Sequence, residues 1–315
     1  MLLQEWLPKW LDTYVKPTSK LRTYNRYYEI VYQHIIPQLG MCEIEDVTVY
    51  KLQSFVADLM QFGNIKNGQG LSANSVNSII TVIQNSLKTA HTLGLTSEYI
   101  GNKIKRPKNS ERQIECFSLS EQKKIEEYIS KNDNNGKYFG IILSLYTGVR
   151  IGELMALEWN DIDLSNQMLK ITKACYYCKD KEGRYCRTTD APKTAASIRT
   201  IPIPKQLIPY IEETNKKSLS KLVVSKDGEE ISTRSYQRRF SLLLKKLHIQ
   251  HKGFHSLRHT FATRAIECGM DARTLSEILG HTSTTVTLNR YVHSLLEHKM
   301  TMADKIGENF NCVTY

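Results

Sequence analysis

The stretch His255-Ser256-Leu257-Arg258-His259, followed by Leu279-Gly280-His281 and then Tyr291, decides how the rest of the chain is read. In under forty residues it gathers an arginine, three histidines and a tyrosine. These types can grip a phosphodiester, move protons and attack phosphorus. His255 and Arg258, at i, i+3, share one face of a helix that runs to Cys268 and is closed by Gly269. His281 follows Gly280 at the end of the next short helix, and Tyr291 falls within or after a third that begins near Thr284. His255 and His259 are also i, i+4, a spacing that can bind zinc. A metalloprotease helix would carry Glu after the first His, and residue 256 is Ser. On these residues alone both chemistries stay open, and one tyrosine among 17 has little claim to be a nucleophile.

Composition narrows the partner. The 315 residues carry 43 Lys and Arg against 32 Asp and Glu, a formal net charge of +11, which favours a polyanion and nucleic acid first. The hydrophobic content of 41% suits a globular protein of two domains. No apolar run reaches the roughly 20 residues that cross a bilayer, and the start lacks a basic, then apolar, leader, so no membrane partner and a cytoplasmic location are expected. The seven cysteines are odd in number and scattered, as free thiols in a reducing compartment are. Cys175 and Cys178 form a Cys-x-x-Cys, but no second pair completes a zinc site.

Outward from that stretch, residues 1–105 read as a bundle of four or five amphipathic helices. Trp6, Trp10, Leu11 and Tyr14 recur at helical spacing, and Tyr24, Tyr28, Val31 and Ile35 mark a second helix closing at Pro37 and Gly40. A third begins after Thr48, with Leu52, Phe55, Val56 and Leu59 apolar. Ser72 caps a fourth, whose Val76, Ile79, Ile80, Ile83 and Leu87 face a core and which ends near Gly94. The basic, apolar-poor stretch around Pro107, taken as 106–115, reads as a linker. A capping box, Ser118-x-x-Glu121, opens the second domain. Tyr138–Tyr146 is a nearly all-apolar helix, broken at Thr147-Gly148-Val149-Arg150 and restarted from Ile151 to Leu157. Met168 to Lys173 alternates as a strand, 179–183 is a turn, and Ile198–Ile203 is a strand that its prolines confine to an edge. From Pro204 onward a helical pattern is expected to the end. The fold class is mainly α with a small antiparallel β-sheet (α+β).

One helix has a chemical asymmetry. Over Thr233–Leu247, Tyr236, Phe240, Leu243, Leu244 and Leu247 form the apolar stripe, while Arg234, Arg238, Ser241 and Lys245 share another face. No Asp or Glu occurs from Ile231 to Ile266, where eight Lys and Arg do. Solvated faces normally mix signs, so this one reads as facing phosphates.

Two further motifs complete the pattern. Thr147-Gly148-Val149-Arg150-Ile151-Gly152-Glu153-Leu154 and Pro192-Lys193-Thr194-Ala195-Ala196-Ser197-Ile198-Arg199-Thr200-Ile201-Pro202 precede the His-rich stretch in order. Together with it they resemble the signature of the tyrosine recombinase (phage integrase) family, and the N-terminal helices resemble its core-site DNA-binding bundle. The resemblance covers essentially the whole chain. It implies a helical core-site DNA-binding domain (1–105), the linker, a catalytic domain (116–293) and a C-terminal helix and tail (294–315). It implies a site-specific recombinase, the integrase of a mobile element, that acts through a 3′-phosphotyrosyl intermediate without cofactor, metal or ATP.

The implied roles fall residue by residue. Tyr291 attacks, Arg150 and Arg258 clamp the non-bridging oxygens, and Lys193 protonates the leaving oxygen. His255 serves as base, His281 bonds the phosphate, and Glu153 holds the site together. The implied partners are double-stranded DNA recombination sites, a homo-tetramer assembled on DNA, and accessory DNA-bending or excision factors, in a bacterial, nucleoid-associated setting. The 175–190 stretch is longer than a bare hairpin turn requires and reads as an insertion contacting DNA or a neighbouring protomer. A type IB topoisomerase, a catalytically dead DNA-binding regulator and a zinc hydrolase built on His255 and His259 are the rival readings.

Overall fold

The structure is a computed structural model that describes residues 1–109, 115–133, 136–179, 184–190, 198–281, 283–285, 288, 303–304 and 306–307. The chain divides into two compact units, Met1–Arg112 with Cys178–Tyr185, and Gln113–Tyr177 with Cys186–Tyr315.

The first unit is helical. Its elements are α1 (Leu3–Trp10), α2 (Leu21–Ile30), α3 (Ile36–Leu39), α4 (Val49–Phe62) and α5 (Ala73–Thr92). Leu3, Trp6, Leu7 and Trp10 put α1 into the core. The two indoles keep partners there, Trp6 donating to Ser86 Oγ at 3.0 Å and Trp10 to Thr89 Oγ1 at 3.1 Å. Thr48 and Ser72 cap α4 and α5 through their side chains, as their sequence positions indicated.

Three details depart from the expected pattern. A π-helical turn over Leu11–Val15 widens the helix, so Val15 is buried and Tyr14 is exposed. A second such turn, Val31–Ile35, precedes Pro37, and the helix runs through the proline to close only at Gly40. The wide turn relieves the clash between the proline ring and the carbonyls behind it. Tyr28, placed on the apolar face by spacing, is exposed and meets the Tyr32 ring at a tilt of 34°, with centroids 4.3 Å apart.

The start of the basic stretch belongs to this unit. Ile104 is buried, Lys105 N donates to Gln53 Oε1 at 3.0 Å, and the Arg106 guanidinium bonds Asn77 O, Thr81 and Gln84.

The second unit opens with α6 (Leu119–Asn132) behind the Ser118–Glu121 capping box, then α7 (Phe139–Thr147), which is buried along almost its whole length. Gly140 allows that burial, because a Cβ there would lie 2.7 Å from both Tyr236 Oη and a Val224 methyl. After the break comes α8 (Ile151–Leu154), shorter than the expected Ile151–Leu157. Past Leu154 the backbone tightens to i→i−3 bonds, Ala156 N to Glu153 O at 3.1 Å and Leu157 N to Leu154 O at 3.2 Å, and Leu157 O then accepts from Val223 N at 2.9 Å.

β1 (Ile162–Asp163), β2 (Met168–Ile171) and β5 (Arg199–Pro202) form an antiparallel sheet in the order β1-β2-β5, and β3 (Ala174–Lys179) pairs with β4 (Tyr185–Asp190). β5 is at an edge, with Ile201 opposite Leu169 and Arg199 opposite Ile171. Helix α9 (Ile208–Lys217) follows. The continuous helix expected from Pro204 is then interrupted by a small hairpin, β6 (Ser225–Lys226) and β7 (Glu229–Glu230). Asp227 and Gly228 both have positive φ at its turn, the arrangement a two-residue Asp-Gly hairpin requires. Helices α10 (Thr233–Lys246), α11 (His255–Glu267) and α12 (Ala272–Leu279) complete the described fold. Among the described residues, no helix is long and apolar enough to cross a membrane.

Candidate active site

The site is built on the end of α12. Gly280 (φ 63°) turns the chain in a left-handed cap in which Gly280 N bonds Glu277 O and His281 N bonds Ser276 O, both at 3.0 Å. That closes two of the last four carbonyls of the helix and fixes the point from which His281 leaves it. The other two are taken by arginines. Arg199 Nε donates to Ile278 O at 2.5 Å and Arg258 Nη2 to Leu279 O at 2.6 Å, while Arg150 Nη2 reaches Gly280 O at 2.9 Å. Three guanidiniums thus sit on three consecutive carbonyls at the negative end of a helix, where cations are favoured.

Local sequence explains how each arrives. α7 ends at Gly148 (φ 67°), where a Cβ would lie 2.6 Å from Phe261 and 2.9 Å from Leu279, so the turn requires glycine. Its carbonyl accepts from Arg258 Nη1 at 2.9 Å. Two residues on, Arg150 is the N-cap of α8, and Glu153 caps it in return. Glu153 Oε2 accepts from Arg150 N at 2.9 Å and Oε1 from Arg150 Nη1 at 2.8 Å. Arg199 adds a fork, Nη1 to Oε1 at 3.0 Å and Nη2 to Oε2 at 2.8 Å. Burial alone pushes the Glu153 carboxyl up, but the Arg199 hydrogen bonds and charge, with those of Arg150, outweigh it and hold the group below the usual carboxylate range. Among the described residues, Glu153 is the one carboxylate in ion-pair contact with this arginine group.

The arginines differ in access. The Arg258 residue is 2% exposed, the Arg199 side chain 5% and the Arg150 side chain 34%, so Arg150 is the one open to a ligand. His255 starts α11 on an exposed turn, and its ring meets that of half-buried His259 edge-on at 4.6 Å. Among the described residues no cluster of three potential metal ligands forms. The structure therefore brings together Arg150, Glu153, Arg258 and the backbone that carries His281. Lys193 and Tyr291 lie outside the described residues, as does most of 294–315.

The cationic face of α10 is present as its spacing indicated. Arg234, Arg238 and Lys245 are exposed, while Ser241 is half-buried, donates to Gln237 O at 3.1 Å and lies 3.3 Å from His251 Nε2. On the next flank of α10 a groove of about 700 Å³ is lined by Arg238, Arg239 and Lys246 but also by Glu229 and Glu230, so it mixes signs where the Arg234–Lys245 face does not.

Two features escaped the sequence reading. Arg199 stands both in the edge strand and in the Pro192–Pro202 motif, but the sequence assigned it no role. In the first unit, α5 presents Asn74, Asn77, Ser78, Thr81 and Asn85, with Arg26 bonded to Ser78 at 2.6 Å and Arg106 to Thr81 at 3.2 Å. The available signal was the absence of any carboxylate from Leu59 to Ser97.

Arginines gathered on a helix end beside an emerging histidine form a rigid cationic group suited to holding an anion such as a phosphate. Residues 119–298 match the phage integrase family and residues 2–60 its N-terminal SAM-like domain, and the chain belongs to that family. It is a site-specific recombinase of the mobile-element integrase type. A tyrosine recombinase XerC-like protein of Caldanaerobacter subterraneus subsp. tengcongensis is 28% identical over 340 residues, covering 98% of this chain and 83% of that protein. The ICEBs1 integrase of Bacillus subtilis is 26% identical, covering 92% and 78%. The fold matches that of the Tn1549 transposon integrase in complex with transposon right end DNA, with a TM-score of 0.81 at 20% identity over 98% of this chain and all of that one.

Proposed function

We propose that the protein cuts and rejoins double-stranded DNA through a covalent phosphotyrosine at Tyr291. The observation that carries this is the set of guanidiniums locked on the end of α12, one of them partly open, in a chain of this family. Each guanidinium has five N–H donors. Two of Arg150's hold it to Glu153 Oε1 and Gly280 O, which leaves donors for the non-bridging oxygens of a phosphate. Such preorganised cations stabilise the charge that develops at phosphorus without reorganising during the reaction.

In the proposed step, the Tyr291 oxygen bonds to phosphorus as its proton passes to His255. The bond from phosphorus to the 5′ oxygen breaks, and Lys193 protonates that oxygen. His281 bonds the phosphate, and Arg258 supports it from beneath. The phosphotyrosine ester keeps the energy of the broken bond, so a 5′-hydroxyl from another strand can reverse the step without ATP. The cationic groups all come from the chain, so the proposal includes no metal. Arg234, Arg238 and Lys245 would follow DNA phosphates, and the polar face of α5 would meet base edges and backbone. We further propose assembly as a homo-tetramer on its recombination sites, with the 294–315 tail and the 175–190 hairpin as contacts and with accessory DNA-bending or excision factors as partners.

The test is a pool of duplexes nicked close to the cleavage point, so that the 5′-hydroxyl fragment diffuses away after attack. A protein–DNA adduct resistant to detergent and insensitive to EDTA is expected from the wild type and absent from Tyr291→Phe. An adduct that needs a divalent metal, or one that Tyr291→Phe forms equally well, contradicts the proposal.

A further inference from the structure

Arg199 stands between Arg150 and Arg258 in chain order and is delivered by β5 rather than by a helix of the site. Its side chain is buried, and its fork spans both oxygens of Glu153 while Nε holds Ile278 O. One side chain thereby ties the carboxylate that orients Arg150 to the helix end from which His281 leaves. A burial this deep places Arg199 behind Arg150, which is the exposed member of the pair on Glu153.

We infer that Arg199 is a positioning residue for strand cleavage, acting through Glu153 to set the guanidinium of Arg150 against the scissile phosphate. This rests on the reading of Arg150 as a phosphate clamp. Without Arg199, the buried carboxylate keeps Arg150 alone as its cationic partner, and Ile278 O loses the donor that holds α12 in register. Arg150 is then drawn to balance Glu153 instead of the phosphate. Lysine cannot replace the fork, because an ammonium is a single point and cannot span two carboxylate oxygens and a carbonyl together.

The test is a cycle of Arg199→Ala, Arg150→Ala and the double variant, read as single-turnover cleavage of the nicked duplexes alongside DNA affinity. The partners that orient metal ligands typically cost about 10–100-fold in activity when removed, and a residue that orients a phosphate clamp is expected to act on the same scale. Arg199→Ala is expected to cleave within that range below wild type, with DNA affinity changed less than about twofold, and Arg199→Lys to recover little. The double variant should be no slower than Arg150→Ala, since the two losses act through one group. On a methylphosphonate substrate, whose neutral phosphorus needs less cationic help, the deficits of both single variants should shrink together.

Rates that multiply in the double variant, or an Arg199→Ala deficit equal on both substrates, overturn the inference while leaving the clamp intact. Full cleavage by Arg150→Ala overturns the clamp itself. Loss of DNA affinity in Arg199→Ala, not shared by Arg199→Lys, would show a folding role and also overturn the inference.

Discussion

The carboxyl end of α12 and the outer face of α10 both concentrate positive charge, and they hold it in opposite ways. At α12 the guanidiniums are buried or half-buried, each fixed by carbonyls or by Glu153 at 2.5–3.0 Å. On α10, Arg234, Arg238 and Lys245 are exposed. The first arrangement restricts geometry at the expense of burying charge, which is tolerable only with every group paired. The second leaves long side chains mobile and screened, a design that contributes affinity in proportion to the phosphates met and declines with salt. One region is built for where a charge must be, the other for how much charge is presented.

Arg150→Ala gives the sharpest contrast. It should lower single-turnover cleavage by about 10²–10³-fold, the usual effect of losing one preorganised donor, while changing the salt dependence of binding by no more than the slope of about 0.9 that one lost phosphate contact carries. Loss of affinity with cleavage of bound DNA intact would erase the distinction.

Glu153→Gln tests the pairing itself. Breaking a buried ion pair costs about 3–5 kcal/mol, so the variant should unfold at clearly lower denaturant at pH 7. The pH dependence has a fixed sign. Because the folded state holds the Glu153 carboxyl below its ordinary range, the carboxylate's stabilisation is complete above that range and is lost as pH falls through the folded value. The gap between wild type and variant should therefore narrow under acid. A constant gap from neutral to strongly acidic pH would mean the arginines are not what Glu153 stabilises.

Gly148→Ala should be next in size. A side chain at φ 67° costs about 1–2 kcal/mol before its clash with Phe261 and Leu279, and the turn delivers both Arg150 and the carbonyl that holds Arg258. Reduced cleavage with a lower melting temperature is expected, and an unaffected enzyme would show that the turn does not position the site. The smallest effects belong to α10. Arg234→Ala and Lys245→Ala should each weaken binding a few-fold and reduce the slope of log affinity against log salt by about 0.9 per lost phosphate contact. An unchanged slope would make that face merely solvated.

Much of this was legible in the sequence where the signal is local. The caps at Thr48, Ser72 and Ser118, the break at Gly148 and the edge strand at 199–202 each declare themselves within a few residues. The π-helical turns did not, since they change the helical phase without a marking residue, and Tyr14 was misplaced for that reason. The Asp227-Gly228 hairpin carried a readable turn signal inside strands of only two residues. Arg150, Arg199 and Arg258 all stand within motifs, but the role of Arg199 depends on partners 46 and 79 residues away, which no spacing reports.

The most direct measurement is the identity of the residue joined to DNA. The detergent-resistant adduct from a nicked duplex would be digested with protease and nuclease and its nucleotide-bearing peptide sequenced by mass spectrometry. A 3′-phosphate ester on Tyr291 is the expected result. A nucleotide on any other residue, or a 5′-phosphate linkage, would contradict the account.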